Sequence, residues 1–88
     1  MSYEVRLSNS AERELSRLDD SVAERIERKI EMLQDLPRPR GCEKLSGVVD
    51  QWRVRIGEDR IIYSVEDRKK LVTILAIRHR REVYRLLS

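Results

Sequence analysis

The stretch Gln51–Val65, QWRVRIGEDRIIYSV, decides the fold of this chain. Apolar and polar side chains alternate along its first six residues, which predicts a β-strand with one buried face. Gly57 and Glu58 suit a two-residue type II′ turn, because glycine readily adopts the positive φ that the first turn position needs. The stretch therefore predicts an antiparallel hairpin.

The two-residue turn also sets the pairing between the two strands. It places Arg55 opposite Arg60 and Trp52 opposite Tyr63, since each step away from the turn adds one residue to both strands. Two arginines directly opposite each other repel, so their arrangement suits a bound anion. The alternative, which stays open, is that they are ordinary charges on a solvated face. The predicted core face carries Trp52, Val54, Ile61, Tyr63 and Val65, and the other face carries Arg53, Arg55 and Arg60.

Hydrophobic periodicity and capping residues predict the other elements. Ser8 or Asn9 is suited to cap a helix after the first strand, and Pro37 and Pro39 end the helical region. The predicted elements are a strand at 3–7, two helices before residue 37, a loop at 37–50, strands at 51–56, 60–65 and 71–77, and a short helix or docked tail at 80–87.

These elements predict an α+β fold in a single domain, residues 1–88. The fold comprises an N-terminal strand, a two-helix hairpin, three antiparallel strands and a short C-terminal helix or tail, with the helices on one face of an antiparallel sheet. A loop of odd length between the last two strands, such as residues 67–69, would place Arg78 on the same face as Arg60.

Composition narrows the functional classes. The net charge is +3, but residues 1–50 hold nine Lys/Arg against eleven Asp/Glu, and residues 51–88 hold ten against five. A basic C-terminal part suggests a polyanionic partner, whereas the plainer interpretation is a soluble surface. The single cysteine, Cys42, excludes an intrachain disulfide, which fits the cytoplasm. No apolar run approaches the length of a membrane span, so no membrane partner is expected.

The C-terminal part gathers further groups that suit phosphate. Residues 78–85, RHRREVYR, contain four arginines, the only histidine and a tyrosine. Arginine donates paired hydrogen bonds to phosphate, and Tyr84 has a ring that can stack on a base. His79 is the side chain that titrates near neutrality. Each has a plainer alternative: Tyr84 packs the C-terminal tail against the sheet, and His79 is exposed or has a structural role. No zinc motif, glycine-rich phosphate loop or carboxylate on the basic face is predicted, so neither a metal nor a cofactor is expected.

The whole pattern resembles the RelE branch of the RelE/ParE toxin superfamily. The resemblance covers nearly the whole chain, and its most specific parts are the hairpin WRVRIGEDRIIYSV and the ending IRHRREVYR. It implies a toxin of a type II toxin–antitoxin system that cleaves messenger RNA in the ribosomal A site without a metal. In that reaction the ribose 2′-hydroxyl attacks the adjacent phosphorus.

The resemblance also implies roles for individual residues. Some members have lysine on the first hairpin strand, residues 51–56, where this chain has arginine, and arginine stays protonated and so cannot act as a proton acceptor. The implied role is therefore neutralisation of the transition state, and the identity of the general base stays open. The implied catalytic residues are Arg55, Arg60, Arg78 and Tyr84, and the implied RNA-binding residues are Arg53, His79, Arg80, Arg81 and Lys44.

Two other functions remain open from the sequence. One is a ParE-like toxin that inhibits DNA gyrase without cleaving RNA, and the other is an inactive relative that only binds RNA. The toxin hypotheses imply a cognate antitoxin as partner in a hetero-oligomer, and the nuclease hypothesis adds the ribosome and messenger RNA. A basic groove would suit an acidic segment that folds on binding.

Overall fold

The computed structural model describes residues 2–79. Within this part of the chain the α+β prediction is confirmed, with two helices and a five-stranded sheet. The elements in chain order are β1 (Glu4–Leu7), α1 (Asn9–Ser16), α2 (Asp20–Met32), β2 (Glu43–Lys44), β3 (Gln51–Ile56), β4 (Asp59–Glu66) and β5 (Leu71–His79). The predicted C-terminal helix or tail lies outside the described residues.

The two helices form where the capping and periodic residues predict them. The Ser8 side chain caps α1 by accepting from the Ala11 N–H at 3.1 Å. Such a cap typically contributes about 1 kcal/mol to stability. Asp19 lies at the start of α2 and makes no side-chain capping bond. Ile26 and Ile30 of α2 are buried, as the spacing predicts. Neither helix within residues 2–79 is long and apolar enough to cross a membrane.

The sheet differs from the prediction at its two edges. Its strand order is β1-β5-β4-β3-β2, and β1 runs parallel to β5. The sheet is therefore mixed rather than antiparallel, because the helical hairpin and three further strands carry the chain back to the side of β1. The second difference is the short strand β2, Glu43–Lys44, which forms inside the loop predicted at 37–50 and pairs with β3.

The core lies between the helices and one face of the sheet. Tyr63 and Ile61 of β4 are fully buried, and so are Ile26 and Ala11 of the helices. Within residues 2–79 no helix covers the opposite face, and the arginines of the hairpin lie on this uncovered face. The buried core residues are Ala11, Ile26, Ile30, Leu33, Val54, Ile61, Tyr63, Val65, Val72, Ile74 and Ile77.

Candidate phosphate-binding site

The hairpin has the predicted register. Gly57 has a φ of +60°, as the first position of a type II′ turn requires. Arg55 lies opposite Arg60, and Trp52 lies opposite Tyr63. Arg53, Arg55 and Arg60 are exposed on the uncovered face, so the prediction that these three share a face is confirmed.

Arg78 also belongs to this face, but the strand register that places it there is not the one the sequence predicts. The turn between β4 and β5 spans residues 67–70, so the predicted loop of odd length is wrong. With this turn alone, regular pairing from Glu66 opposite Leu71 would place Ile77 opposite Arg60. A β-bulge leaves Leu75 unpaired and shifts the register by one residue. Arg78 is therefore the residue opposite Arg60.

Three arginines thus form a row across three adjacent strands: Arg55 on β3, Arg60 on β4 and Arg78 on β5. Arg55 Nε donates to the Gly57 carbonyl at 2.9 Å, which anchors its side chain at the turn. Within residues 2–79, neither Arg55 nor Arg60 forms an ion pair with a carboxylate. Neighbouring like charges cost free energy when nothing lies between them. The row is suited to a ligand with concentrated negative charge.

A pocket of about 90 Å³ opens beside this row, at the β3 end. Arg53 ion-pairs with Glu43 at 2.7 Å on its wall. This hydrogen bond and the charge of Arg53 hold the pKa of Glu43 below its ordinary value, so Glu43 remains an anion at neutral pH. The pocket is lined by Gly41, Glu43, Arg53, Arg55 and Arg60.

Glu43 overturns the expectation that no carboxylate lies on the basic face. It occurs in a loop rich in proline and glycine, where no periodicity indicates which way a side chain points. Pairing with Arg53 places it on the arginine face. Residues 2–79 bring no three His, Cys, Asp or Glu side chains together at a spacing that could hold a metal ion.

A cluster around Arg38 fixes the loop that carries Glu43. The Arg38 guanidinium donates to both carboxylate oxygens of Asp67, at 3.1 and 2.8 Å. Its central carbon also lies 5.2 Å from the centre of the Trp52 ring, which is a cation–π distance. The Tyr3 hydroxyl donates to Asp67 at 2.7 Å. The cluster ties the start of the loop to the β4–β5 turn.

Lys44 is not part of the arginine face. Its cross-strand partner is Trp52, which packs against the core side of the sheet. Cross-strand partners share a face, so Lys44 lies on the side opposite Arg53 and Arg55. The sequence predicts Lys44 as an RNA-binding residue but does not indicate its face, because β2 is too short for alternation to show its phase.

The remaining predicted residues are described only in part. His79 ends β5, and the register pairs its backbone with Asp59, one position beyond the Arg60–Arg78 pair. The side chain of His79 and the residues Arg80, Arg81 and Tyr84 lie outside what the structure describes.

A second carboxylate that the sequence did not single out contacts the row. Glu14 of α1 ion-pairs with the Arg78 guanidinium, and its Oε1 accepts from the Ile77 N–H at 3.0 Å. Glu14 lies on the helix between core positions 11 and 15, among several charged residues. No sequence pattern indicates this contact, because it depends on where β1 ends relative to β5.

Comparisons with known proteins agree with this architecture. The family model for the ParE toxin of the type II toxin–antitoxin system parDE matches residues 5–84. A protein of Escherichia coli that is named for its likeness to RelE toxins is 27% identical over 92 residues, covering 100% of this chain and 96% of that protein.

Solved structures give the same result. The archaeal RelE–RelB complex from Pyrococcus horikoshii OT3 contains a chain with a TM-score of 0.81 and 30% identity, which covers 91% of this chain and 97% of that one. The isolated E. coli RelE toxin has a TM-score of 0.78 and 26% identity, with coverage of 98% and 95%. The RelBE2 toxin–antitoxin complex from Mycobacterium tuberculosis contains a chain with a TM-score of 0.82 and 26% identity, which covers 91% of this chain and 100% of that one. The chain therefore belongs to the RelE/ParE superfamily of type II toxin–antitoxin toxins.

Proposed function

We propose that this toxin is a metal-independent endoribonuclease that cleaves messenger RNA in the ribosomal A site, in the cytoplasm. The observation that carries the proposal is the row of Arg55, Arg60 and Arg78 beside a pocket. The row places three arginines in register on neighbouring strands, and Arg55 and Arg60 line the pocket. Folding alone gains nothing from placing them together.

The reaction class follows from what arginine can do. In the proposed step the ribose 2′-hydroxyl attacks the adjacent phosphorus and the 5′-oxygen leaves, so the phosphate gains negative charge in the transition state. Arg55 and Arg60 would bind the non-bridging oxygens and neutralise that charge. Arg78 would stabilise the phosphate and the leaving oxygen. Holding the attacking and leaving oxygens in line supplies the rest of the acceleration.

Other residues enter through the family resemblance. Tyr84 would stack on a base or orient the phosphate, and Arg53, His79, Arg80 and Arg81 would contact the RNA chain. Within residues 2–79, Glu43 is the carboxylate in the pocket, and Arg53 makes it a weaker base by lowering its pKa. The mechanism as proposed therefore depends on charge stabilisation rather than on a strong base.

The proposed partner in the resting cell is a cognate antitoxin. The relatives from P. horikoshii and M. tuberculosis were solved as complexes of a toxin with its antitoxin. An acidic segment that folds onto the arginine face would neutralise the row and exclude RNA from the pocket at the same time.

The second candidate function is inhibition of DNA gyrase without RNA cleavage. The matching family model, which is that of the ParE toxin, favours it. An arginine row beside a pocket has no evident part in poisoning a protein target, so the row favours the nuclease.

Induced expression followed by mapping of messenger RNA 5′ ends tests the proposal. The wild-type chain should produce cuts at fixed positions within codons, whereas Arg60→Ala and Arg78→Ala should not. Arg28→Ala is the matched control, because Arg28 pairs with Glu24 on an exposed helix face and should leave the cuts unchanged. Intact messenger RNA with arrested replication would select the gyrase function. RNA binding without cuts would select an inactive relative.

A further inference from the structure

Glu14 links α1 to the end of the arginine row through two contacts with one carboxylate. Oε1 accepts from the Ile77 backbone N–H at 3.0 Å, and Oε2 ion-pairs with Nη1 of Arg78. The Glu14 side chain is 21% exposed, and that of Arg78 is 41% exposed. This pair is better shielded than the Arg28–Glu24 pair on α2, whose side chains are 71% and 64% exposed.

The end of β1 explains why a carboxylate is found here. β1 pairs with β5 only as far as Leu7 opposite Ile74, because the chain then turns at Ser8 into α1. Beyond that point β1 no longer covers the edge of β5. The carboxylate of Glu14 replaces the missing strand as the acceptor for the Ile77 N–H, which would otherwise lack a partner near the core.

The same carboxylate controls where the charge of Arg78 lies. The backbone of Arg78 belongs to the row, opposite Arg60. Its guanidinium, however, lies at the strand edge with Glu14, where Nη1 also approaches the Ile77 carbonyl at 3.4 Å. The pocket is lined by residues of the row other than Arg78. The backbone of Arg78 is therefore in register with Arg60, while its guanidinium is neutralised by Glu14 outside the pocket.

We propose that Glu14 is a positioning residue that holds Arg78 at the edge of β5 until a phosphate of single-stranded RNA replaces its carboxylate. The inference rests on the proposed function, because it assigns a resting state to one of the arginines of that site. The exchange substitutes one anion for another on the same guanidinium. Glu14 keeps its bond from the Ile77 N–H throughout, so α1 and β5 stay in place while the arginine swings into the row.

The test is the substitution Glu14→Gln. The amide oxygen can still accept from the Ile77 N–H, but the neutral side chain no longer neutralises Arg78. Affinity for a 2′-O-methyl single-stranded RNA oligonucleotide, which cannot undergo 2′-hydroxyl attack, should rise by about fivefold at low salt, as expected from the loss of one competing ion pair. The plot of log affinity against log salt should steepen by about 0.7, because the cation freed from one phosphate is no longer offset by a cation taken up by the released Glu14 carboxylate.

Two controls separate this effect from a purely structural one. Glu24→Gln removes a carboxylate from an ion pair on α2 and should change neither affinity nor salt slope. In an Arg78→Ala background, Glu14→Gln should have no effect, since the arginine that it releases is absent. A salt slope unchanged by Glu14→Gln, in a chain whose RNA binding depends on Arg60, would overturn the inference and leave the proposed function standing.

A measurement on the wild-type chain tests the same inference without relying on the folding of any variant. The side-chain carboxyl ¹³C resonance of Glu14 should shift on saturation with the oligonucleotide, while that of Glu24 should not. Titration with inorganic tripolyphosphate separates the two proposals. A Glu14 shift with tripolyphosphate but no binding of the oligonucleotide supports the positioning role and contradicts the RNA proposal. No shift with either ligand contradicts the positioning role.

Discussion

Arg60 of β4 lies directly opposite Arg78 of β5, and the bulge at Leu75 creates this pairing. Arg60 also lies opposite Arg55 on its other side. The central arginine of the row therefore has a cationic neighbour on both flanking strands, while Glu43 pairs with Arg53 and Glu14 pairs with Arg78. We expect this arrangement to lower the stability of the fold.

Replacement of Arg60 by glutamine should raise the stability of the fold and lower the cleavage activity. Loss of the central charge should raise the free energy of unfolding by about 0.5 kcal/mol at low ionic strength, since like charges directly opposite each other are destabilising. Cleavage should fall by about 100-fold or more, because a charge that stabilises the transition state is lost. Thermal unfolding and an RNA cleavage assay measure the two effects. Arg28→Gln, which removes a paired arginine, should not raise the stability.

Inorganic phosphate should stabilise the wild-type chain through the same row. A ligand that binds only the folded state raises the melting temperature by an amount that grows with the logarithm of the ratio of ligand concentration to Kd once the site fills. The increase in Tm between zero and millimolar phosphate should be largely lost in Arg60→Gln. Chloride at the same ionic strength serves as the control for general screening. An equal increase with both salts would argue against a specific anion site.

Lys70 has a φ of +50° at the end of the β4–β5 turn, and its N–H donates to the Asp67 carbonyl at 3.2 Å. A side chain in this left-handed region costs about 1 kcal/mol, so Lys70→Gly should raise the free energy of unfolding by up to that amount. Chemical denaturation measures the change. Lys69→Gly is the matched control: its φ is not positive, so glycine there should lower stability through chain entropy.

Acid should weaken the Arg38–Asp67 cluster. Hydrogen bonds from Arg38 and from Tyr3 hold the pKa of Asp67 below its ordinary value. Because the folded-state pKa is the lower one, its contribution to stability is present above the ordinary aspartate pKa and is lost as pH falls through the folded value. Asp67→Asn should therefore melt at a lower temperature than the wild type at neutral pH, and the difference should shrink in acid. Melting curves from pH 7 to strong acid measure it, and a constant difference would contradict this assignment.

Glu43→Gln tests whether the pocket carboxylate serves as a counter-charge or as a base. The structure predicts tighter RNA binding, by a factor of a few, because the variant releases Arg53 from its ion pair. Single-turnover cleavage should persist in this variant, since the proposed mechanism depends on charge stabilisation. Abolished cleavage with intact binding would instead identify Glu43 as a participant in proton transfer.

The sequence predicts the hairpin well because its signals are local. Alternation in β3 and the turn at Gly57 together determine the pairing of Arg55 with Arg60, and burial of Val54 and Ile61 agrees with that register. Periodicity likewise predicts the buried face of α2. These features depend on residues within a few positions of one another.

The features that the sequence does not predict depend on distant parts of the chain. Parallel pairing of β1 with β5 joins segments separated by the whole fold, and the contact of Glu14 with Ile77 spans 63 residues. β2 is too short for alternation to show its phase, so the faces of Glu43 and Lys44 cannot be predicted from the sequence. No sequence pattern indicates the bulge at Leu75, because β5 carries apolar residues on both of its faces.

The bulge divides β5 into two segments with independent orientation. Leu71–Ile74 pairs with β1 beside the core, whereas the orientation of the residues after Leu75 is set by their pairing with Arg60 and its neighbours on β4. Deletion of Leu75 alone would restore regular pairing and keep the row, because Ala76, Ile77 and Arg78 would stay opposite Ile62, Ile61 and Arg60. One residue inserted after Ala76 would instead place Ile77 opposite Arg60 and Arg78 opposite Asp59, which would bring a guanidinium towards the core and an isoleucine into solvent. Loss of the bulge residue should therefore leave the row intact, while one extra residue beyond the bulge would remove the row and weaken the fold together.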